Sequence, residues 1–298
     1  MKIRIGFGLG TQTLANDGGS FGALVDTLED LRFDSLWMSE RLTGDAPDPL
    51  TALAFAAGRT QRLKLGTSVL VLPGRNPVVL AKEMASLDRL SGGRLLPAVG
   101  LGAPSSVEHR AFGVQRGERA PWFDEALALM RRLWTEDDVH HDGERFQVEG
   151  VTLRPRPVQQ PIEIWLGGRA PSELRRVGRV GDGWLPSFST VRDVEQGWQV
   201  VTRTAAEHDR TIDPEHLGVL VAYAHGEVPE LMRAFLATRQ PETDPSEVIP
   251  VGLDGLRRHL ESMIEVGASK FVVMPLIEHH DWERELTGVV DAVFDLQN

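Results

Sequence analysis

The chain contains no cysteine. Disulfides, thiolate metal sites and cysteine nucleophiles are therefore excluded. It has no run approaching the ~20 apolar residues that span a bilayer. Its first residues, MKIRIGFGLG, enter a strand pattern directly, without the apolar core and small-residue cleavage site of a secretory signal. The expectation is a soluble cytoplasmic protein with no membrane partner. Basic residues are in deficit, 32 against 43 acidic, giving a net charge of −11. Binding to nucleic acid rests on phosphate neutralisation by Lys and Arg, so no nucleic-acid partner is expected. No G-x-x-x-x-G-K-[ST] phosphate loop and no H-E-x-x-H zinc motif occurs. Gly6-x-Gly8-x-Gly10 imitates a dinucleotide fingerprint, but Thr11 stands where the third glycine belongs. His140-His141-Asp142 and His279-His280-Asp281 are dense in ligand types. Adjacent side chains rarely converge on one ion, so these read as solvated loop residues and no metal site is expected.

What is present is alternation. The 298 residues, 41% hydrophobic and 25% charged, have an ordinary globular composition. Short apolar runs at 3–9, 34–39, 63–72, 94–101, 162–166, 183–186, 217–224 and 270–275 read as strands. Longer amphipathic stretches lie between them. Asp48-Pro49 and Asn76-Pro77 read as helix starts, because a capping side chain accepts free backbone N–H groups and proline suits the first turn. Gly92-Gly93 reads as a helix stop. In the helix predicted over 121–135, Phe123, Leu127, Met130 and Trp134 form one stripe. Residues 136–160 read as a polar excursion. About eight strand–helix units in strict succession predict an α/β chain folded as a closed parallel (β/α)8 TIM barrel with insertions, one domain over 1–298. An open doubly wound sheet shares the local pattern.

Barrel active sites lie at the C-terminal ends of the strands. This rule nominates Gly8 and Gly10; Ser39, Glu40 and Arg41; Ser68 and Val69; Gly100, Gly102 and Ala103; Gly167 and Gly168; and Trp184. Glycine recurs at these ends, where it lets backbone approach a flat or phosphorylated ligand. The strongest local signal is Gly167-Gly168-Arg169-Ala170-Pro171-Ser172, between a strand and a helix. Free N–H groups and the helix dipole suit it to an anion such as phosphate. An ordinary turn with proline at the first helical position is the alternative.

Several segments together resemble the luciferase-like monooxygenase superfamily. They are the stretch from Leu65 through Arg75-Asn76-Pro77, Leu87-Asp88-Arg89 to Arg94, Gly100-Leu101-Gly102, Ala111-Phe112-Gly113, Leu133-Trp134, Trp165 to Gly168, and Gly181 to Pro186. The segment from Ser39-Glu40-Arg41 to Ala54 resembles the actinobacterial branch that uses the deazaflavin coenzyme F420. The resemblance implies a bacterial luciferase-like barrel, an oxidoreductase acting on a small-molecule substrate, and a homodimer. It implies hydride transfer with F420. The alternative is an FMN-dependent two-component monooxygenase, with a flavin reductase as partner. A non-catalytic flavin-binding protein and a metal-dependent barrel hydrolase are the competing classes.

By position, the resemblance places Ser68-Val69 at a strand-three bulge whose peptide bond is cis, backing the ring. Gly102 and Ala103 fall at the ring edge, and Gly167, Gly168, Arg169, Ala170 and Pro171 at the cofactor phosphate. Gly8, Glu40 and Arg41 complete the expected cofactor set, with Arg75 nearby. Two departures stand out. Glu40-Arg41 replaces the Asp-His found in several F420 relatives. Ala103-Pro104 stands where some dehydrogenases carry Glu, which argues against a sugar-phosphate dehydrogenase. Glu40 and His109 remain as the candidate catalytic acid–base groups.

Overall fold

A computed structural model describes residues 1–103, 105–277 and 281–298. Pro104 and the His279-His280 pair lie outside them. The chain runs β1 (Arg4–Leu9), α1 (Gly18–Asp30), β2 (Ser35–Met38), α2 (Pro49–Arg59), β3 (Lys64–Val71), α3 (Pro77–Leu90), β4 (Leu95–Gly100), α4 (Ser106–Ala111), α5 (Arg119–Thr135), β5 (Val139–Asp142), β6 (Gln147–Val151), β7 (Trp165–Leu166), α6 (Pro171–Val180), β8 (Gly183–Trp184), α7 (Val191–Glu207), β9 (Gly218–Tyr223), α8 (Glu230–Arg239), α9 (Gly252–Glu265), β10 (Lys270–Pro275) and α10 (Trp282–Val293).

Eight strands form one parallel sheet in the order β8-β7-β4-β3-β2-β1-β10-β9. The two edges meet through isolated bridges, Trp184 to Leu217 and Ser187 to Leu220. The sheet thus closes into a (β/α)8 barrel, and the open-sheet alternative is set aside.

Local chemistry places many boundaries. The Asp48 carboxylate accepts from Thr51 N at 2.9 Å and starts α2. Asn76 Oδ1 accepts from Val78 N and Val79 N at 2.9 and 3.2 Å and starts α3. Pro97 sits inside β4 and donates nothing to the ladder. Beside it the Thr67 hydroxyl bonds both the Ala98 carbonyl and the Ala98 N–H, at 2.7 and 3.0 Å. The strand expected over 162–166 pairs only at Trp165 and Leu166, because Ile164 N donates to the Asp182 carboxylate instead. The excursion at 136–160 contains an antiparallel hairpin of β5 and β6, which the polar composition concealed.

Inside the barrel, Trp37, Ala98, Trp165, Leu185, Leu220 and Val272 pack together. The interior is therefore filled, not a pore. Glycine makes room: a Cβ on Gly66 would lie 2.3 Å from the Trp37 ring. The α5 stripe packs as its spacing predicts, and Trp134 donates to Ala81 O at 2.9 Å, tying α5 to α3.

At the opposite, N-terminal end of the strands lies a charge cluster around a buried Asp34–Lys270 pair. Asp34 faces Lys64 at 3.0 Å, Lys270 at 3.4 Å and Arg4 at 3.7 Å. Burial works to raise its carboxyl pKa, but Lys270 and Lys64 outweigh it and hold it below the ordinary value.

Candidate active site

The C-terminal ends of the strands open into a cavity of about 1140 Å³. Its floor begins at the third strand. The peptide bond Ser68–Val69 is cis, and the β3–β4 register shifts between Ser68 and Leu70. Three contacts from the end of β2 pin this bulge. Ser39 Oγ donates to Ser68 O at 3.1 Å and Glu40 N donates to Val69 O at 3.3 Å. The Glu40 carboxylate accepts from Val71 N at 2.6 Å. Its other oxygen pairs with Arg75, whose Nε donates to Val71 O at 3.0 Å. Glu40 is only 3% exposed at its side chain, so both carboxylate oxygens are committed within the protein. Burial pushes its carboxyl pKa up, against the pull of Arg75.

Removing Arg75 would leave a buried carboxylate without its cation. Arg75→Met should cost about 2–3 kcal/mol of stability in urea denaturation. Adding Glu40→Gln should recover part of the loss, because the two side chains act as one unit. An additive double mutant would show that the pair does not couple.

The β4 side of the cavity is shaped by Leu101, Gly102 and Ala103. Arg119, nine-tenths buried at the start of α5, donates through Nη1 to Leu101 O at 2.9 Å and Gly102 O at 3.1 Å. Burial lowers the pKa of this guanidinium. No acidic side chain pairs with it among the described residues. His109, on α4, is bonded through Nε2 to Ala103 O at 3.0 Å. A carbonyl only accepts, so Nε2 carries the hydrogen and Nδ1 keeps the lone pair in the neutral ring.

The third wall is the turn from β7 into α6. Arg169 N and Ala170 N both donate to Glu173 Oε2 at 2.9 Å. Glu173 is the third residue of α6, so these bonds cap the helix start, and the two N–H groups are taken up within the chain. Trp184 Nε1 donates to Gly168 O at 2.9 Å and fixes the turn from below. Arg169 reaches across to Phe188 O at 3.0 Å.

The expected site residues divide into three groups. Glu40, Ser68, Val69, Gly102, Ala103, Gly167, Gly168, Arg169 and Ala170 line the large cavity. Arg41 and His109 line a smaller alcove of about 160 Å³ beside it, which shares Glu40, Gly102 and Ala103 with the main cavity. Gly8 and Pro171 line neither. Gly8 packs inside the barrel, where a Cβ would lie 2.9 Å from Val272 Cγ1. Pro171 is exposed on the first turn of α6 and serves to start that helix.

The sequence reading missed four arginines on the cavity wall, Arg116, Arg119, Arg176 and Arg239. Arg119 carried a signal: it precedes Phe123 by one helical turn, which puts a cation on the buried stripe. Arg176 is likewise buried beside Leu174 and Val177, paired with Asp124 at 2.7 Å. Among the described residues no group of His, Asp and Glu could hold a metal ion.

The geometry can be set beside known proteins. Two curated relatives are named F420-dependent glucose-6-phosphate dehydrogenase. The one from Kineococcus radiotolerans is 32% identical over 204 residues, covering 62% of this chain and 60% of its own. The one from Beutenbergia cavernae is 33% identical over 223 residues, covering 71% and 65%. The chain thus spans about three fifths of the length of such relatives. Among solved structures, the monooxygenase RslO1 from Streptomyces bottropensis superposes with a TM-score of 0.80 at 23% identity, over 99% of both chains. The family model described as luciferase-like monooxygenase matches residues 2–246, and the chain belongs to that family.

Proposed function

We propose that the protein is an oxidoreductase that moves a hydride between the deazaflavin coenzyme F420 and a small organic substrate. The observation that carries this reading is the convergence of three backbone features on one cavity. These are the pinned Ser68–Val69 bulge, the Gly102-Ala103 edge and the turn at Gly167 to Ala170 that opens α6. A flat ring needs a surface free of projecting side chains, and glycines supply one. A Cβ on Gly100 would lie 2.7 Å from Val69 Cγ2, and one on Gly167 would lie 3.1 Å from Val69 Cγ1. The relatives named for F420 support the deazaflavin in preference to FMN.

The cofactor supplies the hydride chemistry; the protein supplies placement and electrostatics. Ser68 and Val69 would back the ring, Gly102 and Ala103 would meet its edge, and the turn after β7 would take the phosphate with Arg169 beside it. Glu40 acts as a positioning residue, since its oxygens already hold Val71 N and Arg75. His109 is the group with an uncommitted basic nitrogen, and it carries the substrate proton.

Parallel equilibrium titrations with F420 and with FMN test this reading. Tight binding of F420 alone is the expected result. Tight binding of FMN alone would replace it with the two-component monooxygenase.

Gly168→Val probes the phosphate assignment. Gly168 has φ +102°, and a Cβ there would lie 2.7 Å from Glu173 Oε2. The substitution forces the turn out of shape at a cost of about 1–3 kcal/mol. F420 affinity should fall roughly 10- to 100-fold. An unchanged dissociation constant in a folded variant would remove the turn from the cofactor site.

A further inference from the structure

One cation between the two cavities is short of partners. Arg119 lines both the main cavity and the alcove of about 160 Å³ beside it. It is 9% exposed, and a guanidinium keeps its charge wherever it is placed. Burial and the neighbouring charge of Arg116 both work against that charge, with Glu173 opposing. Only Nη1 is used, donating to Leu101 O, Gly102 O and Ala103 O at 2.9, 3.1 and 3.4 Å. Nε is sealed from solvent and has no acceptor. Nη2 makes no hydrogen bond among the described residues and is not sealed, so it is the corner of the fork open to a ligand. Arg59 shows what this edge of a guanidinium does: its Nε and Nη2 grip the two oxygens of Asp26, the first at 3.0 Å. On Arg119 the same edge holds nothing. The acids nearby are committed elsewhere. Glu40 is held by Val71 N and Arg75. Glu108 is buried and accepts from Leu42 N and Thr43 N at 3.2 Å and from Thr43 Oγ1 at 2.8 Å. Exposed Arg41 lines the alcove and exposed Arg116 the main cavity, so each cavity adds a second cation. The body of the alcove is apolar, formed by Val71, Pro73, Leu101, Phe112 and Val114.

We infer that Arg119 anchors a carboxylate of the substrate, and that the alcove holds the small apolar body of that monoanion. That the anion belongs to the substrate rests on the reading of the main cavity as the F420 site. The size of the body follows from comparison: an apolar cavity of ~150 Å³ accommodates one benzene molecule. The carboxylate meets Nη2 where the two cavities join. A planar acid group suits the guanidinium fork, and its negative charge offsets that of the whole group, the sealed Nε included. An uncharged ligand leaves the buried cation as it stands. A hexose phosphate fails on the other count, since its hydroxyl-covered ring would face Val71, Leu101, Phe112 and Val114 without partners for its hydrogen bonds. Arg119 therefore reads charge while the apolar wall reads size, and together they set specificity. His109 Nε2 is bonded to Ala103 O, which also lies 3.4 Å from Arg119 Nη1, so one carbonyl holds both the anchor and the proton carrier in place.

Benzoate and benzamide test the inference, being one shape with and without the charge. Calorimetric titration of the protein without cofactor should show benzoate binding at least ~10-fold more tightly than benzamide, the margin of a charge-assisted hydrogen bond. Arg119→Met should bring the two probes to within about twofold of each other. Arg41→Gln should weaken benzoate about 2- to 5-fold and leave benzamide unchanged. This second variant covers the case in which Arg119→Met, which also releases the β4-loop carbonyls, does not fold. Glucose 6-phosphate should not displace benzoate; displacement would overturn the carboxylate class. Repeating the titration with saturating F420 separates the two sources of an acid group, and benzoate affinity should be unchanged. Competition by F420 would give Arg119 to an acid group of the cofactor and overturn the substrate assignment. Absence of benzoate binding, equal affinities of the two probes, a folded Arg119→Met protein that still prefers benzoate, or unchanged benzoate affinity in Arg41→Gln would each overturn the inference. Failure of F420 to bind, with the preference for benzoate intact, would overturn the cofactor reading and leave the anion site standing.

Discussion

His109→Ala should lower kcat about 100- to 10,000-fold while leaving F420 affinity within a factor of two or so, the range expected for loss of a general acid–base group. The expectation comes from the acceptor-only partner of its ring. Ala103 O fixes the hydrogen on Nε2, which leaves Nδ1 to take or give the proton that accompanies hydride transfer. Ala103 O also lies within 3.4 Å of Arg119 Nη1, so the carbonyl that orients the imidazole is itself anchored to α5. Removing the ring leaves this anchor intact, and KM should change far less than kcat. Added imidazole should restore part of the activity if the defect is loss of a proton carrier. A variant with normal kcat would take His109 off the reaction path. A variant that loses F420 binding in proportion to activity would make it a structural residue.

Asp34→Ala should destabilise the fold by about 3–5 kcal/mol at neutral pH, although Asp34 lies at the end of the barrel away from the cavity. In the wild type one carboxylate serves three cations at the starts of β1, β3 and β10. Lys270 is the costly one: burial lowers its pKa, Asp34 opposes that, and its ammonium also lies 6.0 Å from the Trp165 ring. Without Asp34 a buried charge is left uncompensated. The pH dependence gives a signature. The Asp34 carboxyl is held below its ordinary value of 3.8 in the folded state. Its contribution to stability is therefore present above that value and is lost as pH falls through the folded value. In the variant this acid-side loss disappears. A lysine with a depressed folded pKa behaves oppositely to one that gains a partner: the folded state binds fewer protons, so stability rises with pH. The variant's deficit should shrink as pH climbs toward the ordinary lysine value of 10.5. Chemical denaturation across that range measures both trends. A deficit independent of pH would show that Asp34 acts through packing alone.

The parts of the fold that were legible in the sequence are those set by local chemistry. Asp48-Pro49, Asn76-Pro77 and Gly92-Gly93 each act within one turn, and each lies at the boundary its residues predict. The parts that were not legible depend on partners distant in sequence. Residues 162–164 look like strand, but the N–H of Ile164 goes to Asp182, and the ladder begins later. The hairpin of β5 and β6 has mostly exposed or half-buried side chains, so no apolar alternation announces it. The site shows the same division. Strand ends could be nominated by topology, and this gathers Ser68, Gly102 and Gly168 around one cavity. Which carboxylate is free could not be read. Glu40 has the right position for a base, yet its pairing with Arg75, 35 residues on, commits it elsewhere. Gly8 lines neither cavity, since its alternating position in β1 directs it into the barrel beneath the rim.

The closure of the barrel carries a dynamic consequence. Seven joints of the sheet are ladders, whereas the eighth is made of isolated bridges between the β8 and β9 edges, helped by Leu220 N donating to Pro186 O at 2.9 Å. Amide hydrogen exchange reports the free energy of local opening, and that free energy is lowest where the fewest backbone bonds must break. The seam should therefore exchange faster than the longer ladders β9–β10, β1–β10 and β3–β4. Ser187, Phe188 and Ser189 continue from it into the cavity wall, and Phe188 O ties that wall to Arg169 and to Gln240 after α8. Breathing of the barrel and admission of a ligand thus draw on the same few hydrogen bonds. A molecule that fills the cavity slows exchange along the whole seam, including at amides it never touches.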